Sequence, residues 1–98
     1  LVYKAAWLLD EGGPQAARRE ISMIKVAVAR AYSAIADRAV QIFGGAGVTD
    51  DTPAAAAYTA ARALRIYDGP DEVHLRTLFR FEPNEVAGDS RYYLRQRE

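Results

Sequence analysis

One long run of helical periodicity, bounded by a glycine pair at each end, constrains the fold most strongly. From about Gln15 to Phe43 the apolar side chains recur every three or four residues, the spacing of one helical face, at Ile21, Ile24, Val28, Tyr32, Ile35, Ala39 and Ile42/Phe43. At about 1.5 Å per residue this helix is roughly 40 Å long, which is more than a small domain needs. A second apolar patch lies on its other side, at Met23, Val26, Ala27 and Ala34. We therefore expect neighbours on both sides, and a chain that is not a lone monomer.

Glycine and proline mark the remaining helix boundaries, because glycine ends a helix at little steric cost and proline suits its first turn. The boundaries are Gly12-Gly13-Pro14, Gly44-Gly45, Thr52-Pro53, Asp68-Gly69-Pro70 and Pro83-Asn84. They predict helices over about residues 1–11, 15–43, 53–67 and 71–82. We therefore expect an all-α, up-down bundle of about four helices over residues 1–83, followed by a poorly structured tail over residues 84–98.

A chain of 98 residues is one small domain, and its composition excludes several functions. The 13 basic and 13 acidic residues balance without forming a basic stripe, so we expect no nucleic-acid partner. With no cysteine and one histidine, the chain has neither a thiolate nucleophile nor a Cys- or His-rich metal site. No apolar run approaches the roughly 20 residues that span a bilayer, which favours a soluble protein of a bacterial cytoplasm or, in a eukaryote, of the mitochondrial matrix or peroxisome. Because Leu1 begins in full helical pattern, without a methionine or a cap, we expect a C-terminal piece of a longer protein.

Two helix ends carry the candidate functional residues. Gln41 lies about 160° around the long helix from its main apolar face, so its amide points away from that core; a solvated surface amide is the alternative. Asp68 lies between the third and fourth helices, where it is either a general base or the N-cap of the fourth helix, with Asp71 as capping-box partner. A base needs a dry, apolar site, whereas a cap needs backbone N–H donors. The single histidine, His74, is interpreted as a structural or solvated residue.

Two stretches of the sequence resemble one known family. The first is Gln41-Ile42-Phe43-Gly44-Gly45-Ala46-Gly47, and the second begins at Arg62 and ends in Ile66-Tyr67-Asp68-Gly69. Both are similar to motifs in the C-terminal helical domain of flavin-dependent acyl-CoA dehydrogenases, and the likeness covers about residues 1–82. The resemblance implies an enzyme that uses FAD to dehydrogenate an acyl-CoA thioester between its α and β carbons. It also implies electron-transfer flavoprotein as the electron acceptor, and a homodimer or homotetramer.

The resemblance assigns roles to individual residues. Asp68 stands where the family has its catalytic glutamate, and would be the catalytic base. Tyr67 and Gly69 would line the acyl pocket beside it. Glu72 would contact FAD just after the base. The contacts with the adenosine-diphosphate part of an FAD bound by a neighbouring subunit would come from Gln41, Ile42, Phe43, Gly44 and Gly45. No metal is implied.

The sequence departs from the family pattern at two positions. Asp68 replaces a glutamate, so the backbone or the substrate must come roughly 1.5 Å closer for proton transfer. Pro70 replaces a threonine, and it has neither the hydroxyl nor a backbone N–H for a flavin contact. The run Asp-Gly-Pro-Asp-Glu-Val-His resembles a branch of the family with larger, often multidomain eukaryotic members and bacterial relatives. We expect the isolated 98 residues to be inactive, and a helical oligomerisation or interaction module without catalysis is the alternative.

Overall fold

The computed structural model describes the backbone of residues 1–85 and the side chains of residues 1–81. Its elements are α1 (Val2–Phe43), a 3₁₀ turn (Gly44–Val48), α2 (Ala54–Leu64) and α3 (Asp71–Glu85). Residues 1–85 contain no strand, so the predicted all-α class is confirmed. Within the same residues no helix is both long and apolar enough to cross a membrane.

The end of α3 differs from the predicted stop at Pro83-Asn84, because the helix continues to Glu85. A proline beyond the first turn removes one N–H donor and crowds the carbonyl four residues earlier, so it ends a helix nearby, and helix ends vary by one or two residues. The first two residues of the predicted tail are therefore helical. The rest of that tail, residues 86–98, lies outside the described residues.

Helix α1 consists of two arms, residues 2–12 and 14–43, joined by a sharp bend at Gly13. Gly13 has φ 73° and ψ −172°, a backbone region that is essentially restricted to glycine. Lys4 Nζ lies 2.9 Å from Glu20 Oε1, although in a straight helix these residues would be about 24 Å apart. The first arm therefore folds back along the second. The predicted boundary at Gly12-Gly13-Pro14 is confirmed, and the expected four helices correspond to three helices of which the first is bent.

Helices α2 and α3 both pack against the second arm of α1. The Ser33 hydroxyl donates to the Ala61 carbonyl at 3.2 Å, and Lys25 Nζ donates to the Leu64 carbonyl at 2.5 Å. As α2 advances along its sequence, its contacts on α1 therefore move backwards, so the two helices are antiparallel. Helix α2 ends at Leu64, three residues before the predicted end at Tyr67. Residues 65–70 form a loop in place of the last helical turn.

Small side chains form the contact surface between α1 and α2, which corrects the assignment of the main core face. The buried apolar residues on these helices are Ala17, Val26, Ala29, Ala36, Ala54 and Ala61, together with Ala5 in the first arm. Ile35 and Ile42, which were assigned to the core face, are 63% and 85% exposed. Alanines on both helices let the two backbones approach closely, and the larger aliphatic side chains lie outside that contact. The expectation of further neighbours on the exposed stripe stays a prediction.

A buried carboxylate joins the three helices. Asp71, at the start of α3, is 3% exposed, and its Oδ2 accepts hydrogen bonds from Arg30 Nε at 3.2 Å and from Arg65 Nε at 3.0 Å. Burial by itself raises the pKa of Asp71, but the hydrogen bonds and charges of Arg65 and Arg30 outweigh burial and lower it. The ionised carboxylate therefore fixes the start of α3 against α1 and against the loop that follows α2.

Candidate functional site

The loop between α2 and α3, residues 65–70, carries Asp68 in an unusual backbone conformation; we call it the Asp68 loop. Asp68 has φ 52°, and it is the one non-glycine residue among residues 1–85 with a positive φ. The next residue, Gly69, has φ 89°. Side-chain-bearing residues seldom adopt this region, although aspartate tolerates it better than most, and the strain is about 1–3 kcal/mol. Strained residues cluster at functional sites, so this conformation favours a functional interpretation of Asp68.

The N-cap interpretation of Asp68 is wrong. The first turn of α3 begins at Pro70, whose carbonyl accepts the N–H groups of Val73 at 3.0 Å and His74 at 3.3 Å. The Asp68 side chain is exposed, and its carboxylate makes no hydrogen bond with the described residues. The expected capping-box partner, Asp71, bonds to two arginines instead. The dry site that a base needs is likewise not formed around Asp68 by these residues alone.

Lys25, on the second arm of α1, holds the Asp68 loop from one side. Its ammonium donates to the backbone carbonyls of Leu64 at 2.5 Å, Tyr67 at 2.9 Å and Gly69 at 3.4 Å. The same ammonium lies 5.6 Å from the centroid of the Tyr67 ring, within the range of a cation–π contact. Sequence reasoning missed Lys25, although one signal was present: a single lysine between Ile24 and Val26 on an otherwise apolar stretch of helix.

His74, on the first turns of α3, holds the loop from the other side. Its Nε2 lies 3.2 Å from the Asp68 carbonyl, and its Nδ1 lies 3.3 Å from the hydroxyl of the buried Ser22. Because a carbonyl can only accept, Nε2 carries the proton in this arrangement. A Cβ on Gly69 would lie 2.8 Å from the same Nε2, so glycine is needed there for the close approach as well as for its φ. The structural interpretation of His74 agrees with these contacts.

Residues 41–45, the Gln41 segment, form the exposed end of α1 and the start of the 3₁₀ turn. Gln41, Phe43 and Gly45 are exposed, and Ile42 is 85% exposed. A Cβ on Gly45 would meet nothing within 4 Å, so no described neighbour explains glycine there. By contrast, a Cβ on Gly47 would lie 2.5 Å from the Val40 carbonyl oxygen, so packing within the chain accounts for that glycine.

The structure does not bring the Gln41 segment and Asp68 together into one site. The Asp68 loop is bonded to Lys25, and 16 residues of α1 separate Lys25 from Gln41, which is about 24 Å along a helix. The other predicted site residues lie near Asp68: Tyr67 and Gly69 are in its loop, and the exposed Glu72 is in the first turn of α3. The chain therefore presents two separate surfaces of candidate residues.

Comparison with known proteins finds acyl-CoA dehydrogenases. A family model described as "Acyl-CoA dehydrogenase, C-terminal domain" matches residues 1–81. The chain is 51% identical over 82 residues to "Probable acyl-CoA dehydrogenase FadE2" of Mycobacterium tuberculosis, covering 84% of this chain and 20% of that protein. It is 52% identical over 87 residues to "Acyl-CoA dehydrogenase family member 11" of Rattus norvegicus, covering 89% of this chain and 11% of that protein.

A solved structure shows the same fold. It is described as that of "a putative acyl-CoA dehydrogenase from Mycobacterium abscessus", and it matches 82% of this chain and 20% of its own with a TM-score of 0.78 at 48% identity. The chain thus spans a fifth or less of the length of these relatives.

The fold and the two surfaces define an all-α domain with Gln-x-x-Gly-Gly at the end of its long helix and an exposed carboxylate in the loop between α2 and α3. The chain belongs to the acyl-CoA dehydrogenase family and corresponds to the C-terminal domain of its members.

Proposed function

We propose that this chain is the C-terminal part of an FAD-dependent acyl-CoA dehydrogenase that uses aspartate, at position 68, as its catalytic base. The proposed reaction is α,β-dehydrogenation of an acyl-CoA thioester, with electron-transfer flavoprotein as the acceptor and a homodimer or homotetramer as the working assembly. The single observation that carries the proposal is the strained backbone of Asp68, held between two helices with its carboxylate exposed and uncommitted to other described residues.

The Asp68 carboxylate, which has no hydrogen-bond partner among the described residues, suits proton abstraction. An α C–H beside a thioester is weakly acidic, so a base must approach the carbon closely, at about 3 Å between heavy atoms. Asp68 would take that proton onto a carboxylate oxygen, and bound FAD would supply the redox chemistry at the β carbon. Because Tyr67 is half exposed beside Asp68, its ring is available to the acyl chain and helps to exclude water. The remaining walls of the site come from outside these residues, which is why we expect the isolated chain to be inactive.

The Gln41 segment fits a dinucleotide that approaches from outside the chain. The open space above Gly45 lets a ligand reach the backbone, and the exposed amide of Gln41 can both donate and accept hydrogen bonds. Along α1, this segment lies about 24 Å from Lys25, which contacts the Asp68 loop. This distance is consistent with the two surfaces contributing to two different active sites. On this proposal Gln41 contacts FAD across the subunit boundary, whereas Asp68 and Glu72 serve the other site.

The test is Asp68→Asn in the full-length, flavin-loaded enzyme, with Asp10→Asn as the matched control because Asp10 is an exposed aspartate on the first arm of α1. The amide keeps the shape of the side chain but cannot take a proton, so single-turnover flavin reduction by acyl-CoA is expected to slow about 10²- to 10⁴-fold. Asp10→Asn should leave the rate unchanged. Turnover that persists at the same rate in Asp68→Asn would exclude Asp68 as the base, and would favour the alternative that this domain is an oligomerisation or interaction module.

A further inference from the structure

Lys25 contacts the chain on both sides of Asp68. Its ammonium has three N–H donors, and the structure directs them at three carbonyls, those of Leu64, Tyr67 and Gly69. Tyr67 precedes Asp68 and Gly69 follows it. One side chain from α1 therefore fixes the peptide groups that flank the proposed base.

These contacts go beyond the ordinary capping of a helix end. A lysine that only complemented the C-terminal dipole of α2 would need the Leu64 carbonyl and no more. The Tyr67 and Gly69 carbonyls lie past the helix, in the segment where φ is positive at two consecutive residues. A strained conformation persists only when its surroundings over-determine it, and charge-assisted hydrogen bonds are the strong ones.

We propose that Lys25 is a positioning residue for Asp68, which holds the loop in its left-handed conformation so that the carboxylate reaches the substrate at a fixed place. His74 supports the same loop from α3, through its hydrogen bond to the Asp68 carbonyl. This inference rests on Asp68 as the base under the proposed function. Lys25 does not touch the reacting atoms in this account; it acts through Asp68.

A double-mutant cycle in the full-length, flavin-loaded enzyme separates positioning from general stability. Lys25→Met keeps the length of the side chain and removes the ammonium. Because a misplacement of about 1 Å can cost about 100-fold in rate, kcat is expected to fall about 10- to 100-fold, with KM changed less than about threefold. In the Asp68→Asn background the same substitution should change kcat less than about twofold, because no base remains to be positioned. The control is Arg18→Met, an exposed cation two turns earlier on the same arm of α1, which should leave kcat unchanged.

The outcomes distinguish the inference from the function on which it rests. If Lys25→Met lowers kcat by the same factor in both backgrounds, the positioning role is overturned while Asp68 remains the base. No loss from Asp68→Asn alone would overturn the proposed function itself. If Lys25→Met does not load flavin, Lys25→Arg keeps the charge but has a planar fork that cannot reach three convergent carbonyls, and kcat should fall about 10-fold. An unchanged kcat in that variant would overturn the inference.

Amide hydrogen exchange gives a readout that needs no catalysis. The Asp71 N–H closes the loop by donating to the Arg65 carbonyl at 3.2 Å. Lys25→Met should speed exchange at this amide by about 10-fold or more, while amides in the middle of α1 keep their protection. Equal protection of the loop with and without the ammonium would contradict the inference.

Discussion

Substitution of Asp71 by asparagine tests the packing of all three helices through one side chain. Asp71→Asn keeps the volume and removes the charge that Arg30 and Arg65 share through Oδ2. The asparagine amide nitrogen then has to occupy the Oδ1 position, which is buried and has no hydrogen-bond partner. The amide oxygen stays at the Oδ2 position, so the variant weakens both arginine hydrogen bonds by removing the carboxylate charge, and it buries an unsatisfied donor.

The expected loss follows from the exposure of each partner. Removing one member of a buried ion pair costs about 3–5 kcal/mol when the other member stays buried. Here the side chains of Arg30 and Arg65 are 51% and 35% exposed, so water can solvate them again. We therefore expect a loss of about 2–3 kcal/mol in the free energy of unfolding, which for a domain of this size lowers Tm by roughly 10–20 °C.

The assay is urea and thermal unfolding followed by circular dichroism, with Glu72→Gln as the matched control. Glu72 is the next residue in the same helical turn, carries the same charge and is exposed, so its loss should cost less than about 1 kcal/mol. If Asp71→Asn costs no more than Glu72→Gln, the ion network does not hold the helices together and the argument fails.

The same network predicts a pH dependence of stability. The pKa of Asp71 is lower in the folded chain than its ordinary value, so its contribution is fully present above the unfolded pKa of about 4. The contribution is lost as the pH falls through the lower pKa of the folded state. The difference in unfolding free energy between wild type and Asp71→Asn should therefore be largest near neutral pH and should shrink in acid. A difference that grows as the pH falls would contradict the assigned charge state.

Three further predictions concern the bend at Gly13, the contact between the two arms of α1 and the proposed base, Asp68. Gly13→Ala should lower the free energy of unfolding by about 1–3 kcal/mol, because its φ and ψ suit only glycine; unchanged urea unfolding would refute the bend. The hydrogen bond from Lys4 outweighs burial and lowers the pKa of Glu20, so Lys4→Ala should raise the pKa of Glu20 in an NMR titration; an unmoved pKa would argue against the antiparallel arms. Asp68→Glu in the full-length enzyme should lower kcat by about 10- to 100-fold, because a carboxylate base remains but lies roughly 1.5 Å further from the backbone; an unchanged kcat would show that the carboxylate need not be held at a fixed place.

The sequence predicted the helix boundaries best where glycine and proline decide the backbone. Gly13 and Gly44 end their helical segments where expected, since both have φ values that favour glycine. The all-α class and the family were predicted as well, the latter from the two motifs, their spacing and the order of the helices. The roles of Gln41, Asp68 and the other proposed site residues stay predictions.

The core face of α1 and the long-range contacts that hold the Asp68 loop and Asp71 could not be predicted, for two physical reasons. Periodicity weights large aliphatic residues, so it selected the stripe that includes Ile35, whereas α1 and α2 meet through alanines that approach closely. The contacts of Lys25 with Leu64 and of Arg30 with Asp71 join residues about 40 positions apart, and no local pattern encodes such a pairing. Asp71 was assigned to a local capping box for the same reason.

The most direct test of the central claim is deuterium incorporation at the α carbon of a bound acyl-CoA thioester in D₂O. This measurement reports removal of the α proton by the enzyme and does not depend on the electron acceptor. The account predicts that the full-length, flavin-loaded enzyme exchanges the α proton and that Asp68→Asn does not. Exchange at the wild-type rate in Asp68→Asn would contradict it.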